Sequence, residues 1–105
     1  MLTVVASFKV KKGKENQVKQ LLLGLISPTH AEKDCIDYDL HVCRDDPSKF
    51  LFYENWVSRE SLDQHLQTPH LKDFASQADE LLEEPVSITF WDCLNAPKRE
   101  KITGS

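Results

Sequence analysis

The stretch WVSRESLDQHLQTPHLKDF, from Trp56 to Phe74, contains two helix starts in succession and decides how the rest of the chain is arranged. Ser58 can cap a first helix with its hydroxyl group. Thr68 can cap a second helix, in which Pro69 takes the first helical position, where its missing N–H costs nothing. A pair of helices is therefore predicted to follow the strand that ends near the start of this stretch.

One face of the first predicted helix combines two leucines with a histidine. Leu62, His65 and Leu66 stand at i, i+3 and i+4, which places their side chains next to each other. His65 is therefore expected to point towards the core, and a titratable ring on an apolar face is a candidate for chemistry. The alternative is a half-buried histidine that bonds a backbone carbonyl. His70 falls in the first turn of the second helix, where the helix dipole favours the neutral imidazole.

Hydrophobic periodicity predicts the order strand, helix, strand, strand, helix pair, strand. The predicted strands are residues 2–10, 35–43, 49–57 and 86–94. The first helix is interrupted at Ser27-Pro28, where Ser27 could cap a new turn, and the last helix ends near Glu84 because Pro85 follows. This order is typical of an α+β fold of the ferredoxin-like β-α-β-β-α-β type, with two helices on one face of a four-stranded antiparallel sheet.

The other face of the predicted sheet also carries apolar side chains. This is more apolar surface than a soluble monomer usually exposes, so a second copy of the chain is expected to cover it with two-fold symmetry. The sequence therefore predicts a homodimer. The side chains expected on this face are those of Val5, Leu51, Tyr53, Val57, Trp91 and Cys93.

Length and composition limit the class of protein. The 105 residues, 40% of them hydrophobic and 29% charged, predict one globular domain over residues 1–96 and a polar tail over 97–105. The net charge of −4 and the absence of a basic cluster argue against nucleic-acid binding. No apolar run approaches the ~18 residues of a membrane-spanning helix, and no secretory signal is apparent. Three cysteines without a C-x-x-C pair are typical of a reducing, cytoplasmic location.

Several motifs in this chain resemble those of the antibiotic biosynthesis monooxygenase (ABM) domain family. They are THAEKDCIDYDL (29–40), DDPSKF (45–50), YENW (53–56) and HLQTPHLKDF (65–74), and the resemblance extends over about residues 2–94. It implies a dimeric α/β barrel of paired ferredoxin-like units. The opening MLTVVA and the block HLQTPH are similar to the quinol monooxygenase branch of the family in particular.

The resemblance also implies an activity, namely oxidation of a small aromatic or quinol-like substrate by O₂ without flavin, haem or metal. Other members of the family isomerise a signalling sugar phosphate, and some degrade haem. The haem-degrading pattern has a tryptophan where His65 stands, a histidine near Ala75 and an asparagine near Ala6. Because all three are absent here, haem degradation is not expected.

Cofactor-free oxygenation requires a base that forms the substrate anion, donors that hold its oxygen, and a pocket that excludes water. His65 is predicted to be the base, because an unperturbed imidazole titrates near pH ~6.5. His65 and His70 are separated by five positions and a helix break, so a metal site shared between them is not expected. The residues predicted to bind the substrate are Trp56, Glu54, His70, Phe8, Phe74 and Phe52.

These assignments have structural alternatives. The aromatic residues could equally be ordinary core, and Glu54 could be bonded to a loop backbone or to an arginine. Two other functions fit the same fold: an isomerase acting on a small polar metabolite, and a small-molecule binding protein without turnover. A sugar-phosphate substrate would require a lysine or arginine in the pocket. No basic residue falls on the predicted core faces, which favours an apolar substrate.

Overall fold

A computed structural model of the chain describes residues 1–95, so the predicted tail and the domain boundary near residue 96 lie outside the described residues. The strands form one antiparallel sheet in the order β2-β3-β1-β4, which confirms the ferredoxin-like α+β prediction. In residues 1–95, every helix is too short or too polar to cross a membrane. The elements are β1 (Leu2–Lys9), α1 (Glu15–Gly24), α2 (Ile26–His30), β2 (Cys35–Cys43), β3 (Asp46–Trp56), α3 (Arg59–Leu66), α4 (Pro69–Leu81) and β4 (Ser87–Trp91).

The core lies on the face of the sheet that the helices cover. Along β1, Val4, Ala6 and Phe8 are buried, as their alternation predicts. They stand opposite Glu54, Phe52 and Phe50 of β3, and directly paired residues share a face of the sheet. The helices close this layer with buried apolar side chains, which are Val18, Leu22, Leu62, Phe74 and Leu81.

Side-chain hydrogen bonds fix the start of α3 and the junction between α3 and α4. Ser58 and Ser61 form a reciprocal capping box, in which each hydroxyl oxygen accepts the backbone N–H of the other residue. This confirms the predicted cap at Ser58. Thr68 precedes Pro69 at the start of α4 as predicted, but its side chain does not cap that helix. Its hydroxyl donates instead to the carbonyl oxygen of His65, 2.7 Å away, which ties the end of α3 to the start of α4.

The predicted break in the first helical region is displaced. It lies between Gly24 and Ile26, where the Leu25 N–H bonds the carbonyl of Leu22, and Ser27 makes no cap. Pro28 is tolerated inside α2 because it occupies the first turn, where backbone N–H groups have no helical partner.

Two later boundaries also differ from the prediction. β3 begins at Asp46, which pairs with Cys43 across the hairpin. The turn between β2 and β3 is therefore shorter than the predicted strands, 35–43 and 49–57, imply. α4 ends at Leu81 rather than near Glu84, because Leu82 is extended and pairs with Val10. β4 ends at Trp91 instead of residue 94.

The alternation along β2 predicts that Ile36, Tyr38, Leu40 and Val42 face the core, but this holds only in the centre of the strand. Tyr38 is buried and Leu40 is half-buried, whereas Ile36 and Val42 are exposed, contrary to the prediction. Ile36 lies where the pairing of β2 with β3 shifts register, so it falls outside the regular alternation. Val42 keeps its regular pairing with the buried Phe50, but it lies near the end of an edge strand and is exposed there.

The apolar open face of the sheet is present as predicted. Val57 and Trp91 are 53% and 56% exposed, and Tyr53 is exposed as well. Asn55 is an exception, since it is fully buried: its amide oxygen accepts from Thr3 Oγ1 at 2.6 Å and its amide nitrogen donates to a carboxylate oxygen on β2 at 2.8 Å. The open face therefore combines exposed apolar side chains with an internal polar network.

The capping box predicts a stability effect. Ser58→Ala removes the hydroxyl that accepts the Ser61 N–H, and we expect the free energy of unfolding to fall by about 1 kcal/mol. Urea denaturation monitored by circular dichroism measures this change. Ser76→Ala is the matched control, because Ser76 is exposed within α4 and its hydroxyl bonds only the carbonyl of Asp73. An equal loss in both variants would contradict the capping assignment.

Candidate active site

A cavity of about 260 Å³ lies between the covered face of the sheet and helices α3 and α4. This volume is slightly below the ~300–1,000 Å³ of typical small-molecule sites, so the cavity suits a small ligand. Its wall is mostly apolar and contains few polar groups. The lining residues are Val4, Ala6, Phe8, Leu25, Tyr38, Phe52, Glu54, Leu62, His65, Leu66, Leu71, Lys72, Phe74, Ala75, Ala78, Val86 and Ile88.

The predicted site residues divide into two groups. Trp56 and His70 do not line the cavity. Trp56 packs on the ring of His65, with ring centroids 4.5 Å apart, and His70 lies 6.1 Å from the His65 ring. The residues predicted from sequence that do line the cavity are Phe8, Phe52, Glu54, His65 and Phe74.

The aromatic part of the wall is a set of rings that contact each other. Phe8 meets Phe52 and Phe74 edge to face, at centroid distances of 6.1 and 5.7 Å. Tyr38 stacks on Phe52 at 4.1 Å, and its role in the wall was missed from the sequence, where it counted only as a core residue of β2. Rings in these geometries hold each other in place and present a rigid apolar surface.

His65 belongs to a hydrogen-bonded cluster with Glu32 and His70. Its Nδ1 lies 2.8 Å from Oε2 of Glu32, and Nε2 of His70 lies 2.9 Å from the same oxygen. The three residues come from different places: Glu32 follows α2, His65 ends α3, and His70 begins α4. Glu32 was missed from the sequence, because it stands in a non-periodic turn and is 33 positions away from its nearer partner.

The five-residue spacing and the helix break, from which no shared metal site was expected, do not prevent the two histidines from reaching one carboxylate. One carboxylate oxygen and one nitrogen from each ring lie within 4.8 Å of one another, and this donor set is of the kind that holds a divalent transition metal. Both nitrogens already have the carboxylate oxygen at hydrogen-bonding distance. The hydrogen bonds of the cluster therefore pair one nitrogen of each ring with the same carboxylate oxygen.

The hydrogen bond to Glu32 determines which nitrogen of His65 is free. A carboxylate only accepts, so Nδ1 carries the proton that it donates, and Nε2 keeps its lone pair. Nε2 has no hydrogen-bond partner within residues 1–95, and the ring forms part of the cavity wall. Burial lowers the pKa of His65, and the hydrogen bond and charge of Glu32 oppose that effect. A neutral imidazole with a free lone pair at a cavity can accept a proton.

Glu54 is the second titratable group in the wall. It is buried, and its Oε1 accepts the indole N–H of Trp56 at 2.9 Å. The expected alternatives for this carboxyl, a loop backbone or an arginine, are therefore wrong. Burial raises the pKa of Glu54 to about 7; the Trp56 hydrogen bond lowers it, and the negative charge of Glu32 raises it further. Glu54 can thus hold or release a proton near neutral pH.

Two neighbouring groups stay protonated at neutral pH. Burial is the main cause that raises the pKa of Tyr38 far above its usual range, and it raises the pKa of the Cys35 thiol to about 11. Tyr38 therefore remains a hydroxyl that can donate a hydrogen bond. Cys35 is therefore an unreactive thiol.

Lys72 corrects the expectation that no basic residue falls on the cavity. It is exposed on α4, yet it is part of the cavity lining. The sequence pattern missed it because a long lysine side chain can lie along apolar surface while its charge stays in water. The cavity therefore has an apolar interior with one cation at its edge.

A second, larger cavity of about 420 Å³ lies at the other end of the sheet. Lys9, His41 and Lys49 are among its lining residues, whereas Glu32, Glu54 and His65 are not. It is open to solvent and shares only the ring of Phe8 with the cavity described above. Because His65 and Glu54 line the smaller cavity, that cavity is the candidate site.

The raised pKa of Glu54 predicts a pH-dependent stability effect. Its pKa rises from an ordinary value of 4.5 to about 7 on folding, so the native state loses stability as the pH rises through this window. Glu54→Gln removes that loss and keeps an acceptor for the Trp56 N–H. We expect the variant to be more stable than the wild type by about 2 kcal/mol at pH 8, with the difference shrinking towards pH 4.5.

Urea denaturation at the two pH values measures this effect. Glu80→Gln is the control, since Glu80 is exposed on α4 and the same change there should show little pH dependence. A stability difference for Glu54→Gln that stays constant with pH would contradict the buried, proton-binding carboxyl.

Comparisons with known proteins agree with this fold. The family model described as antibiotic biosynthesis monooxygenase matches residues 1–77. The Mycobacterium tuberculosis protein named "Putative monooxygenase Rv0793" is 36% identical, over 84% of this chain and 86% of that protein. "Uncharacterized protein sll1783" from Synechocystis is 32% identical over 86% of this chain, which spans only 61% of that relative's length.

Solved structures give the same result. The crystal structure of PA3566 from Pseudomonas aeruginosa matches with a TM-score of 0.85 and 31% identity, covering 90% of this chain and 94% of that one. The structure of Rv0793 matches with a TM-score of 0.84 and 33% identity, covering 90% and 96%. With the family model matched over most of its length, this chain belongs to the antibiotic biosynthesis monooxygenase family.

Proposed function

We propose that this chain is a monooxygenase that oxidises a small aromatic or quinol-like substrate with O₂ and needs no bound cofactor. The substrate binds in the 260 Å³ cavity, and His65 is the base. One oxygen atom of O₂ enters the substrate and the other leaves as water, with the electrons supplied by the substrate itself. Family membership and the name of the relative Rv0793 support the reaction class.

One observation carries the proposal: a neutral imidazole with a free nitrogen forms part of an otherwise apolar cavity wall. Nδ1 of His65 is held by Glu32, so Nε2 is the atom that meets the substrate. The substrate O–H bond breaks as an N–H bond forms at Nε2. The aromatic anion that results is electron-rich enough to react with O₂, and the apolar wall protects it from water.

The other groups of the wall position the substrate. A flat ring can pack on the stacked and edge-to-face rings of Tyr38, Phe52 and Phe74. Glu54, protonated in part near neutral pH, can donate a hydrogen bond to a substrate oxygen. Trp56 acts behind the wall, where it contacts His65 and binds Glu54.

An isomerase acting on a small polar metabolite is the second candidate, and the position of Lys72 favours it. A cation at the edge of the cavity could hold an anionic group of the substrate while the rest of the molecule lies inside. Such an enzyme would use His65 as a base without consuming O₂. Oxygen uptake therefore separates the two candidates, and binding without any turnover would indicate a binding protein.

The assembly belongs to the same proposal. We propose that two copies stack their open faces to form a dimeric α/β barrel, which would bury Tyr53, Val57 and Trp91. The exposed apolar side chains on this face support the arrangement. The assignment to the quinol monooxygenase branch and a cytoplasmic location are likewise proposed.

Oxygen consumption tests the reaction. Chelator-treated protein is mixed with a panel of quinols and polyhydroxylated aromatics, and uptake is followed with an oxygen electrode. We expect turnover in the wild type and a fall of about tenfold or more in His65→Ala, because a general base contributes ~10²–10⁴-fold. His41→Ala is the control, since His41 is exposed on β2 and remote from Glu32. Equal uptake by His65→Ala and wild type would contradict the role of His65.

Sedimentation velocity tests the dimer. We expect the wild type to sediment as a species of twice 12.1 kDa. Tyr53→Lys places a charge on the open face and should shift the protein to the monomer, whereas Leu23→Lys, on the exposed surface of α1, should not. A wild type that sediments as a monomer at micromolar concentration would contradict the barrel.

A further inference from the structure

We propose that Glu32 is a positioning residue for His65, and that His70 holds Glu32 in place for this role. The inference rests on the proposed function, in which His65 is the base, and it explains how that base is kept in the competent form. It assigns a role to a carboxylate that does not line the cavity.

The geometry of the cluster carries the proposal. One oxygen, Oε2 of Glu32, lies 2.8 Å from Nδ1 of His65 and 2.9 Å from Nε2 of His70. Exposure increases along the cluster, with side chains that are 2%, 17% and 21% exposed for His65, Glu32 and His70. The carboxylate therefore lies between a buried ring and a ring that reaches the surface. It cannot rotate away without breaking two charge-assisted hydrogen bonds.

Glu32 affects His65 in two ways. It accepts the proton of Nδ1, which leaves the lone pair on Nε2, the nitrogen that has no hydrogen-bond partner among residues 1–95. It also places a negative charge next to the ring. When the substrate O–H breaks and its proton forms the Nε2–H bond, the positive imidazolium that results is paired with this carboxylate. A neutral side chain at position 32 could provide the first effect but not the second.

His70 restrains Glu32 from the other side. It begins α4, and its Nε2–H donates to the same carboxylate oxygen of Glu32. The hydroxyl of Thr68 bonds the carbonyl oxygen of His65, which links the backbone of one histidine to the helix start that carries the other. The junction between α3 and α4 thus sets the separation of the two rings.

Other titratable groups face the cluster from the sheet. Glu54 on β3 and Cys35 and Tyr38 on β2 interact electrostatically with Glu32 or with one another. Tyr38 and Cys35 stay neutral near pH 7, so they add no charge there. The pKa of Glu54 is raised to about 7, so a kinetic pH profile contains the titration of Glu54 as well as that of His65.

Kinetics of Glu32→Gln are the first test. The amide oxygen still accepts the Nδ1 proton, but the negative charge is gone. We expect kcat to fall about tenfold or more with KM nearly unchanged, and the acid limb of kcat/KM to move to lower pH, because the charge that favours the imidazolium is lost. Glu32→Asp should recover part of kcat, and Glu60→Gln, an exposed change on α3, should match the wild type.

Nitrogen-15 NMR of the histidine side chains is the second test and requires no turnover. In the wild type, His65 should show the proton on Nδ1. Glu32→Gln should lower the pKa of His65, and His70→Leu should produce a mixture of His65 tautomers. Circular dichroism verifies that both variants are folded.

The outcomes separate this inference from the function on which it rests. If no substrate supports oxygen uptake, the proposed function fails, and the NMR measurement alone decides the role of Glu32. If His65→Ala is inactive while Glu32→Gln keeps the wild-type kcat, pH profile and His65 pKa, the base assignment stands and the role of Glu32 is overturned.

Discussion

The hydrogen bonds to a single carboxylate oxygen, Oε2 of Glu32, are the interaction on which the candidate site depends. They join the turn after α2 to the end of α3 and the start of α4, and so they unite three segments that lie far apart in the sequence. The capping box at Ser58 fixes the start of α3, and the Thr68 hydroxyl ties the end of that helix, which carries His65, to the start of α4, which carries His70. The covered face of the sheet then needs only to provide an apolar wall opposite His65.

Burial acts on the two acid–base groups of the wall in complementary ways. Removing an imidazole from water favours its neutral form, and removing a carboxyl from water favours its protonated form. His65 is thereby kept as a proton acceptor, and Glu54 is kept close to its own titration point near neutral pH. A base and a proton donor in one mostly apolar cavity suit the proposed oxidation of a hydroxylated ring.

Periodicity alone predicts much of the fold, because a half-buried strand and an amphipathic helix each repeat their apolar residues at a fixed spacing. The inward orientation of His65 follows from its two leucine neighbours for the same reason. Glu32 could not be predicted in this way, since its partners are 33 and 38 positions away and meet it only in the folded chain. The exposure of Ile36 could not be predicted either, because a register shift leaves no mark in the alternation of β2.

If His65 accepts a proton from a bound ring hydroxyl, the anion of a suitable phenol should form in the cavity of the wild type. A nitrophenol, whose hydroxyl ionises near neutral pH, is added without O₂ over a series of pH values, and the visible band of its anion is recorded for the wild type and for His65→Gln. We expect the bound nitrophenol to ionise at lower pH in the wild type than in His65→Gln, because only the imidazole can take up the proton. Anion bands of equal strength in both proteins at every pH would contradict the assignment of His65 as the base.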